Sequence, residues 1–475
     1  MIPVAMLLAI CVVFGCGVNN APPASTPTTA SPALISIIPS AATLESGSHL
    51  QFHVSSNMVT DSYAVWLVNG VKGGTTDSGT ISISGLYVAP VTTALFNARI
   101  TAVSASWVAT KWEANSDVVV YPPEIKPSGL DFYVATAGSD SNDGSMAKPW
   151  ATIAHAASVV QPGAIVHVAV GKYSGSIITL LSGTANAPIR FMSDQRWGAQ
   201  IIGTAAEATW QNRGDYIDIV GFDVTGAAPN GIENLGSYAR ILGNRVHDIV
   251  ASCDSNGGSG INNANYSAHD NDIVGNIVYR VRASASCNAQ HGVGIYHSNL
   301  RGHVSNNITF QNGTVGIQLW HAANNVVVAN NTVFNNDLNG IVIGAGDSPG
   351  GVTNDYSDVV NNISFSNGYY GIQEFGSTGP HNRYLNNLMS QNPSGNLSLL
   401  TGTASGNIFA SPQFVNYTGD TDGDYHLGST SPATDAGATQ SAPAGDFDGS
   451  PRPYGKGWDI GAFERGAPAG SWPWQ

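Results

Sequence analysis

Two histidines end two related apolar stretches and are candidates for proton transfer. His297 ends Gly292-Val-Gly-Ile-Tyr-His297, and His321 ends Gly316-Ile-Gln-Leu-Trp-His321. An imidazole titrates near neutral pH, so either residue could remove a proton as a general base while Tyr296 supplies one as an acid. Strict alternation along a strand would instead aim both imidazoles inward, where they would form a hydrogen-bonded pair in the core.

Two carboxylates form a second candidate pair. Asp347 lies in Gly344-Ala-Gly-Asp-Ser-Pro-Gly350, and Glu374 lies in Gln373-Glu-Phe375. Glu374 occupies a position that apolar residues fill in neighbouring repeats. Burying an unpaired carboxylate there would be costly, so Glu374 marks either a strand end or a functional site. Two carboxylates at a suitable separation can hydrolyse a glycosidic bond, although Gly-Asp-Ser-Pro is also an ordinary turn sequence.

The same stretches contain side chains that suit a sugar chain. With a side-chain period of two, alternate positions point to solvent and form a polar face from Glu233, Asn262, Gln318 and Gln373. The next outward column contains Tyr296, Trp320 and Phe375, which are flat apolar surfaces that can stack on sugar rings. The alternative for these aromatic residues is packing beneath an inserted loop.

These stretches belong to a repeat that covers most of the chain. Asn residues recur in related contexts, such as Gly275-Asn-Ile-Val-Tyr279 and Asn306-Asn-Ile-Thr-Phe310, at intervals of 20 to 32 residues. The equivalent positions are Asn244, Asn276, Asn307, Asn331, Asn362, Asn387 and Asn407. Such a period is typical of a solenoid. We therefore expect a parallel β-helix over residues 131–465, with stacked Asn side chains that hydrogen-bond one another along the coils.

Composition and charge exclude one class of partner. The chain has 18 Lys and Arg residues and a formal net charge of −14, so it has no basic surface that could neutralise a phosphate backbone. Gly is abundant and only 11 % of residues are charged, which favours short strands joined by tight turns over long amphipathic helices. We expect an all-β monomer that does not bind nucleic acid.

The N-terminus predicts export. The apolar run from Ile2 to Phe14 is too short to span a bilayer and indicates a signal peptide over residues 1–16. Val13-Phe14-Gly15-Cys16 resembles a bacterial lipobox, which would make Cys16 the lipidated residue and the lipid the membrane anchor. Plain secretion is the alternative, because no Lys or Arg precedes the apolar run. Residues 17–33 are rich in Pro, Thr and Ser and predict a disordered tether.

A small domain precedes the repeat. Residues 34–121 contain short alternating stretches separated by turn clusters, the pattern of a β-sandwich, with Trp66 as its core aromatic residue. Trp66-Leu-Val-Asn-Gly70 and Gly79-Thr-Ile-Ser-Ile-Ser-Gly-Leu-Tyr-Val-Ala-Pro90 resemble bacterial immunoglobulin-like domains of surface proteins. The resemblance implies a spacer or adhesion role. Residues 122–130 form a Pro-containing linker.

The start of the predicted β-helix has a recognisable sequence. It contains Asp131-Phe-Tyr-Val-Ala-Thr-Ala-Gly-Ser-Asp140, Asn142-Asp-Gly144 and Pro149-Trp-Ala-Thr-Ile153. Together these segments resemble the β-helical polysaccharide lyases related to the pectate lyases. The resemblance implies a right-handed parallel β-helix with an amphipathic cap helix over residues 152–160 that covers the open end of the coils. It also implies a polysaccharide substrate.

The resemblance implies β-elimination in a polymer that contains uronic acid. This reaction needs a base, and a positive group that neutralises the sugar carboxylate. The pectate-lyase family uses a Lys base and a cluster of Asp residues that holds calcium. No Lys lies between Lys172 and Lys456, and Asp254-Ser-Asn-Gly-Gly-Ser-Gly260 has no Asp cluster, so neither group can be carried over.

A different set of residues would then perform the elimination. His297 or His321 would be the base and Tyr296 the acid. The carboxylate clamp would come from Arg280, Arg282 or Arg301, although surface arginines are more often solvated charges. Hydrolysis by Asp347 and Glu374 is the competing reaction. A non-catalytic surface protein that only binds glycans is the third alternative.

Two further groups of residues predict stabilising bonds. If Cys11 and Cys16 belong to the signal peptide, Cys253 and Cys287 are the two cysteines that remain. They are 34 residues apart, which is close to the length of one repeat, so we expect them to form a disulfide in an oxidising compartment. Two free buried thiols are the alternative.

Asp420-Thr-Asp-Gly-Asp424 has the alternating oxygen ligands of a calcium loop, formed by Asp420, Asp422 and Asp424, but it lacks the downstream Glu. An ordinary acidic turn is the alternative.

The C-terminal part predicts a closing segment. Ser431-Pro-Ala-Thr-Asp-Ala-Gly437, Asp446-Phe-Asp-Gly449 and Asp459-Ile-Gly-Ala-Phe-Glu464 resemble a segment common on secreted bacterial β-helix proteins. The resemblance implies that this segment caps the last coil and that its charged residues are structural. Residues 466–475 form a short tail.

Overall fold

The computed structural model describes residues 35–39, 41–55, 64–92, 96–105, 112–121, 130–204, 208–251, 258–283, 292–346, 352–468 and 470. The predicted signal peptide with Cys16, the tether, and the predicted pair Cys253 and Cys287 lie outside these ranges. In the described part of the chain, no helix has the length and hydrophobicity needed to cross a lipid bilayer.

Residues 35–121 form a small β domain around one core. In its described residues, a mixed sheet contains Ala41–Glu45, Glu113–Tyr121, Phe96–Ser104, Ala64–Val68 and Val71–Lys72. An antiparallel sheet contains His49–Gln51, Leu86–Val88, Gly79–Ile81 and Gly74–Thr75, and a strand pair contains Ser36–Ile38 and His53–Ser55. Trp66 packs in the core with Phe52 and Tyr87, which confirms its predicted position. The immunoglobulin-like resemblance stays a prediction.

Three parallel sheets form the second domain in the described residues, and successive strands of the chain enter them in turn. The first contains Asp131–Val134, Ile165–Val168, Ile189–Ser193, Ile217–Val220, Arg240–Leu242, His269–Val274, Leu300–Ser305, Val327–Ala329, Asp358–Val360, Arg383–Leu385 and Thr403–Ser405. The second contains Gly171–Ser174, Ala199–Thr204, Asp223–Ala227, Arg245–Ala251, Ile277–Tyr279, Ile308–Phe310, Thr332–Phe334, Ile363–Phe365 and Leu388–Ser390, with Arg282–Ala283 alongside. The third contains Ile177–Thr179, Trp210–Asn212, Asn230–Asn234, Ser259–Asn263, Val293–His297, Ile317–Leu319, Ile341–Ala345, Tyr370–Gly376 and Gly395–Ser398. This arrangement confirms the predicted all-β parallel solenoid.

Aliphatic side chains from all three sheets fill the interior of the solenoid. In one coil they are Ile241, Val246 and Ile261. The predicted cap helix is present as Ile153–Val159 and packs its Ile and Ala side chains on the first coil. Thr152 caps this helix by accepting a hydrogen bond of 3.1 Å from the backbone N–H of His155.

The predicted asparagine ladder is confirmed. Asn276 donates to the side-chain oxygen of Asn307 at 3.0 Å, and Asn307 donates to that of Asn331 at 3.0 Å. A second ladder, five residues further along each coil, was not predicted and contains Asn312, Asn336, Asn367 and Asn392. Its signal was the constant offset of five residues from the first ladder. These ladders satisfy buried amides at the turns, which a solenoid core could not otherwise accommodate.

The C-terminal segment lies along the side of the solenoid, whereas the sequence predicted that it caps the last coil. It includes the antiparallel strands Phe414–Asn416 and Asp424–Leu427. Tyr425, Phe447 and Phe463 of this segment pack with an outward aromatic column of the second sheet. The column consists of Tyr279, Phe310, Phe334 and Phe365. The segment covers the second sheet because this column would otherwise expose a continuous apolar surface.

Candidate functional site

A column of mostly polar side chains runs along the outer face of the third sheet. Strand register places in line Gln211, Glu233, Asn262, Tyr296, Gln318, Val342 and Gln373. The preceding residues of these strands, such as Ile261 and Ile317, are fully buried in the core. The predicted polar outer face is therefore present, and we call this line of residues the third-sheet column.

The register differs from the predicted alignment of two repeats. Ile295 pairs with Ile317, and Tyr296 pairs with Gln318. Aligning the two stretches at Gly292 and Gly316, as the sequence suggests, would pair Val293 with Ile317, two residues too early. Tyr296 therefore belongs to the third-sheet column and not to the aromatic column predicted beside it. Val293 packs outside the main core, against Tyr296.

His297 lies in the core and does not face the outer surface. Its partner in the next strand is Leu319, so His297 and His321 do not form the pair in the core that strict alternation predicted. Its Nδ1 accepts a hydrogen bond of 3.0 Å from Asn263, and its Nε2 donates one of 3.0 Å to the carbonyl of Asn299. Complete burial lowers the pKa of His297 to about 4, so the ring is neutral at neutral pH. The structure thus gives His297 the core position and not the position of a base.

His321 lies at the surface, just after its strand of the third sheet. Its side chain is partly exposed, and its ring centroid lies 4.3 Å from that of Tyr266 and 6.2 Å from that of Tyr296. Tyr266 comes from the turn two coils earlier, and no spacing in the sequence indicated this contact. Of the two predicted bases, His321 is the partly exposed one, with its Nδ1 buried and two phenol rings beside it.

Trp320 and Phe375 form an aromatic pair at the same end of the third sheet. Their ring centroids lie 5.9 Å apart with an angle of 21° between the planes, and Phe375 is 57 % exposed. Trp320 rests on bare backbone, because a Cβ added at Gly344 or at Gly346 would lie 2.8 Å from its ring. Two glycines therefore make room for the indole.

Glu374 is a buried structural carboxylate. Its Oε2 accepts hydrogen bonds of 2.6 and 2.8 Å from the backbone N–H groups of Leu400 and Thr401, and its Oε1 accepts one of 2.9 Å from the Tyr384 hydroxyl. Glu374 is only 1 % exposed, so it does not face a substrate. The predicted hydrolytic pair loses this member, and Asp347 lies outside the described residues.

The three predicted clamp arginines do not lie on the outer face of the third sheet. They belong to or follow strands of the first and second sheets, and each holds a carboxylate. The ion pairs are Arg280 with Asp248 at 2.6 Å, Arg301 with Asp270 at 2.6 Å, and Arg282 with Asp337 at 2.6 Å. Because these guanidiniums are already paired and lie on other sheets, they cannot form one clamp.

The loop for which calcium was predicted lies within the described residues, and its carboxylates at Asp420 and Asp424 are hydrogen-bonded. Asp420 accepts hydrogen bonds from the Thr418 hydroxyl and the Asp422 backbone, whereas Asp424 is bound to His426. No group of three or more His, Cys, Asp or Glu side chains in the described ranges has an arrangement that could hold a metal ion. The residues Asp420 to Asp424 thus have the geometry of an acidic turn.

On the third-sheet column, Glu233 accepts a hydrogen bond of 2.5 Å from the side-chain amide of Gln211.

Comparison with known proteins identifies the solenoid. A family model described as "Pel9A-like, right handed beta helix region" matches residues 132–407, more than half of the chain, which confirms the predicted handedness. The crystal structure of pectate lyase Pel9A is 19 % identical with a TM-score of 0.55, covering 70 % of this chain and 96 % of that one. A rhamnogalacturonan lyase is 16 % identical with a TM-score of 0.44, covering 61 % and 91 %.

One curated sequence also matches. The uncharacterized protein YwoF of Bacillus subtilis (strain 168) is 32 % identical over 104 residues, which is 22 % of this chain. The matched stretch spans 20 % of the length of that protein. At the identities found, the likeness to the two lyase structures concerns the fold.

Proposed function

The chain belongs to the Pel9A-like right-handed β-helix family, and we propose that it is an exported polysaccharide lyase that acts on a polymer containing uronic acid. The observation that carries the proposal is the position of His321 on the outer surface, beside two tyrosines and just after the strand of Gln318, a member of the polar third-sheet column. These residues, and not the β-helix as such, support an elimination reaction, because function depends on the site and not on the fold.

The third-sheet column would hold the sugar chain. Successive coils are roughly 4.8 Å apart, so Gln318 and Gln373, which lie two coils apart with Val342 between them, present amides roughly 10 Å apart along the solenoid axis. Amides donate to and accept from sugar hydroxyls, and they can donate to a carboxylate as charge builds on it. Trp320 and Phe375 add flat apolar surface for a pyranose ring.

His321 would remove the proton on the carbon next to the sugar carboxylate. The electrons of that C–H bond form a carbon–carbon double bond, and the glycosidic oxygen leaves from the adjacent carbon. Tyr266 or Tyr296, whose rings lie 4.3 and 6.2 Å from that of His321, would protonate the leaving oxygen. The proposed step uses only these side chains.

Incubation of the full chain with polygalacturonate, rhamnogalacturonan and alginate tests the proposal, with calcium or with a chelator. Elimination creates an unsaturated sugar, so ultraviolet absorbance should rise together with reducing ends. His321→Gln should lower the rate by about 10²- to 10⁴-fold, the usual contribution of a general base.

His381→Gln is the matched control. His381 also stacks on a tyrosine, with its ring centroid 4.3 Å from that of Tyr356, but it lies just before a strand of the first sheet. The elimination rate of the His381→Gln variant should stay within twofold of the rate of the parent chain. Reducing ends without absorbance would show hydrolysis instead. If no polymer is cleaved but at least one is bound, the alternative of a non-catalytic glycan-binding protein would be favoured.

A further inference from the structure

The outer face of the second sheet changes character along the solenoid. In the earlier coils it presents Asp223, Arg245 and His247, which form one hydrogen-bonded group. From Ile277 and Tyr279 onward it is apolar and covered by the C-terminal segment. A cavity of about 450 Å³ opens at this boundary. Its volume is within the range of about 300–1,000 Å³ that small-molecule sites occupy.

The walls of the cavity are aromatic. Tyr279 and Phe310 of the second sheet are almost fully buried there, and their rings are stacked with centroids 4.9 Å apart. Trp197 lines the cavity from the first-to-second-sheet turn, and its indole N–H is held by the carbonyl of Gly243 at 2.9 Å. Phe463 lines it from the C-terminal segment. Trp197 is partly exposed and forms the open part of this aromatic wall, and the nearly buried rings of Tyr279, Phe310 and Phe463 lie behind it.

The rim of the cavity is polar and its charges are paired. His426 joins Asp424 at 2.6 Å to Asp448 at 2.8 Å, and Arg245 holds Asp223 at 2.7 Å. The side chains of His426, Asp424 and Asp448 are 40 to 47 % exposed, so solvent and ligand can reach them. The rim carries the carboxylates of Asp420, Asp424 and Asp448, and its two cations, Arg245 and His426, already hold carboxylates. The rim therefore disfavours an anion, and its free lone pairs accept hydroxyl donors.

We propose that this cavity binds a neutral saccharide of one or two pyranose rings. The aromatic walls contact the C–H faces of the sugar, and Asp424, Asp448 and Arg245 hydrogen-bond its hydroxyls. A uronate would place its carboxylate beside Asp420, Asp424 and Asp448, so it binds more weakly than the neutral sugar. The site is separate from His321 and the third-sheet column, and it does not rest on the proposed lyase activity.

Titration calorimetry on the full chain tests this site with neutral disaccharides of glucose, galactose, xylose and mannose, and with galacturonate. At least one neutral disaccharide should bind. Asp448→Asn and Trp197→Leu should each weaken that binding about tenfold or more, as the loss of a charged hydrogen bond or of a ring contact does. Asp448→Asn is the safer variant for folding, because Asp448 lies on the exposed rim.

Asp355→Asn is the matched control, because Asp355 also holds a histidine, His381, at 2.8 Å but lies elsewhere on the solenoid. It should bind the disaccharide as tightly as the parent chain. Binding of galacturonate in preference to every neutral sugar, the absence of any saccharide binding, or unchanged affinity in Asp448→Asn would each overturn the proposal. None of these outcomes depends on whether the chain cleaves a polymer.

Discussion

His297 continues a ladder of asparagines by accepting a hydrogen bond of 3.0 Å from Asn263. Asn263 in turn accepts one of 2.6 Å from Asn234, and Asn234 accepts one of 2.7 Å from Asn212. The imidazole thus replaces a fourth amide at the turn from the third to the first sheet. Its function is structural, and this leads to a pH-dependent stability.

We expect the His297 ring to make the fold sensitive to acid. Burial lowers its folded-state pKa from 6.5 to about 4, so the unfolded chain binds more protons between these values. Stability is fully present above pH 6.5 and is lost as the pH falls towards 4. At pH 5 the loss is about 2 kcal/mol, from about 1.4 kcal/mol per pKa unit.

His297→Asn should remove this contribution, because an amide continues the ladder without titrating. Denaturant unfolding at pH 7 and pH 5 measures the effect as a smaller difference between the two free energies in the variant. An equal difference in both proteins would show that His297 is not the titrating group. Activity at neutral pH should not depend on this substitution.

Gly346→Ala should displace Trp320. The three atoms nearest to the added Cβ would all belong to the indole, at 2.8, 3.2 and 3.8 Å, so the ring must move to make room for it. Polysaccharide binding should weaken about tenfold, with a stability change of about 1 kcal/mol or less. Gly445→Ala is the control, because the nearest atom to its Cβ is 3.6 Å away. Equal affinity in the two variants would exclude Trp320 from the binding surface.

Glu374→Gln should destabilise the chain without changing catalysis per folded molecule. The carboxylate accepts from the N–H groups of Leu400 and Thr401 and from the Tyr384 hydroxyl, and an amide can replace only part of this acceptor capacity. The expected loss is about 2–4 kcal/mol in the free energy of unfolding. The exposed Glu113→Gln provides a control with little effect. A folded Glu374→Gln variant with abolished activity would restore Glu374 as a catalytic acid.

The loop from Asp420 to Asp424 should not respond to calcium. The carboxylates of Asp420 and Asp424 are bound to Thr418 and His426 and do not converge with Asp422. Thermal unfolding is measured with calcium and with a chelator. The difference in melting temperature between these two conditions should be the same for the parent chain and for Asp422→Ala. A calcium-dependent rise that disappears in Asp422→Ala would establish a calcium site in this loop.

The sequence alone was sufficient for several parts of the fold. Trp66 in the first core, the asparagine ladder from Asn276 to Asn331, and the cap helix Ile153–Val159 were all predicted. The first two depend on a local rule, alternation in a strand or a constant period, whereas the cap helix was implied by the resemblance to the pectate lyases. Such rules act over a few residues or one repeat, so the linear order contains them.

Only the tertiary structure decided which side chains meet across the coils. A shift of two residues moved Ile295 into the core column and separated His297 from His321, because Leu319 takes the position beside His297. Tyr266 reaches His321 from two coils away, and the C-terminal segment returns to cover the second sheet. The repeat period and the alternation of side chains follow from the chain itself. Strand register and long-range packing depend on the loop inserted in each coil, and loop geometry is not specified by a local pattern.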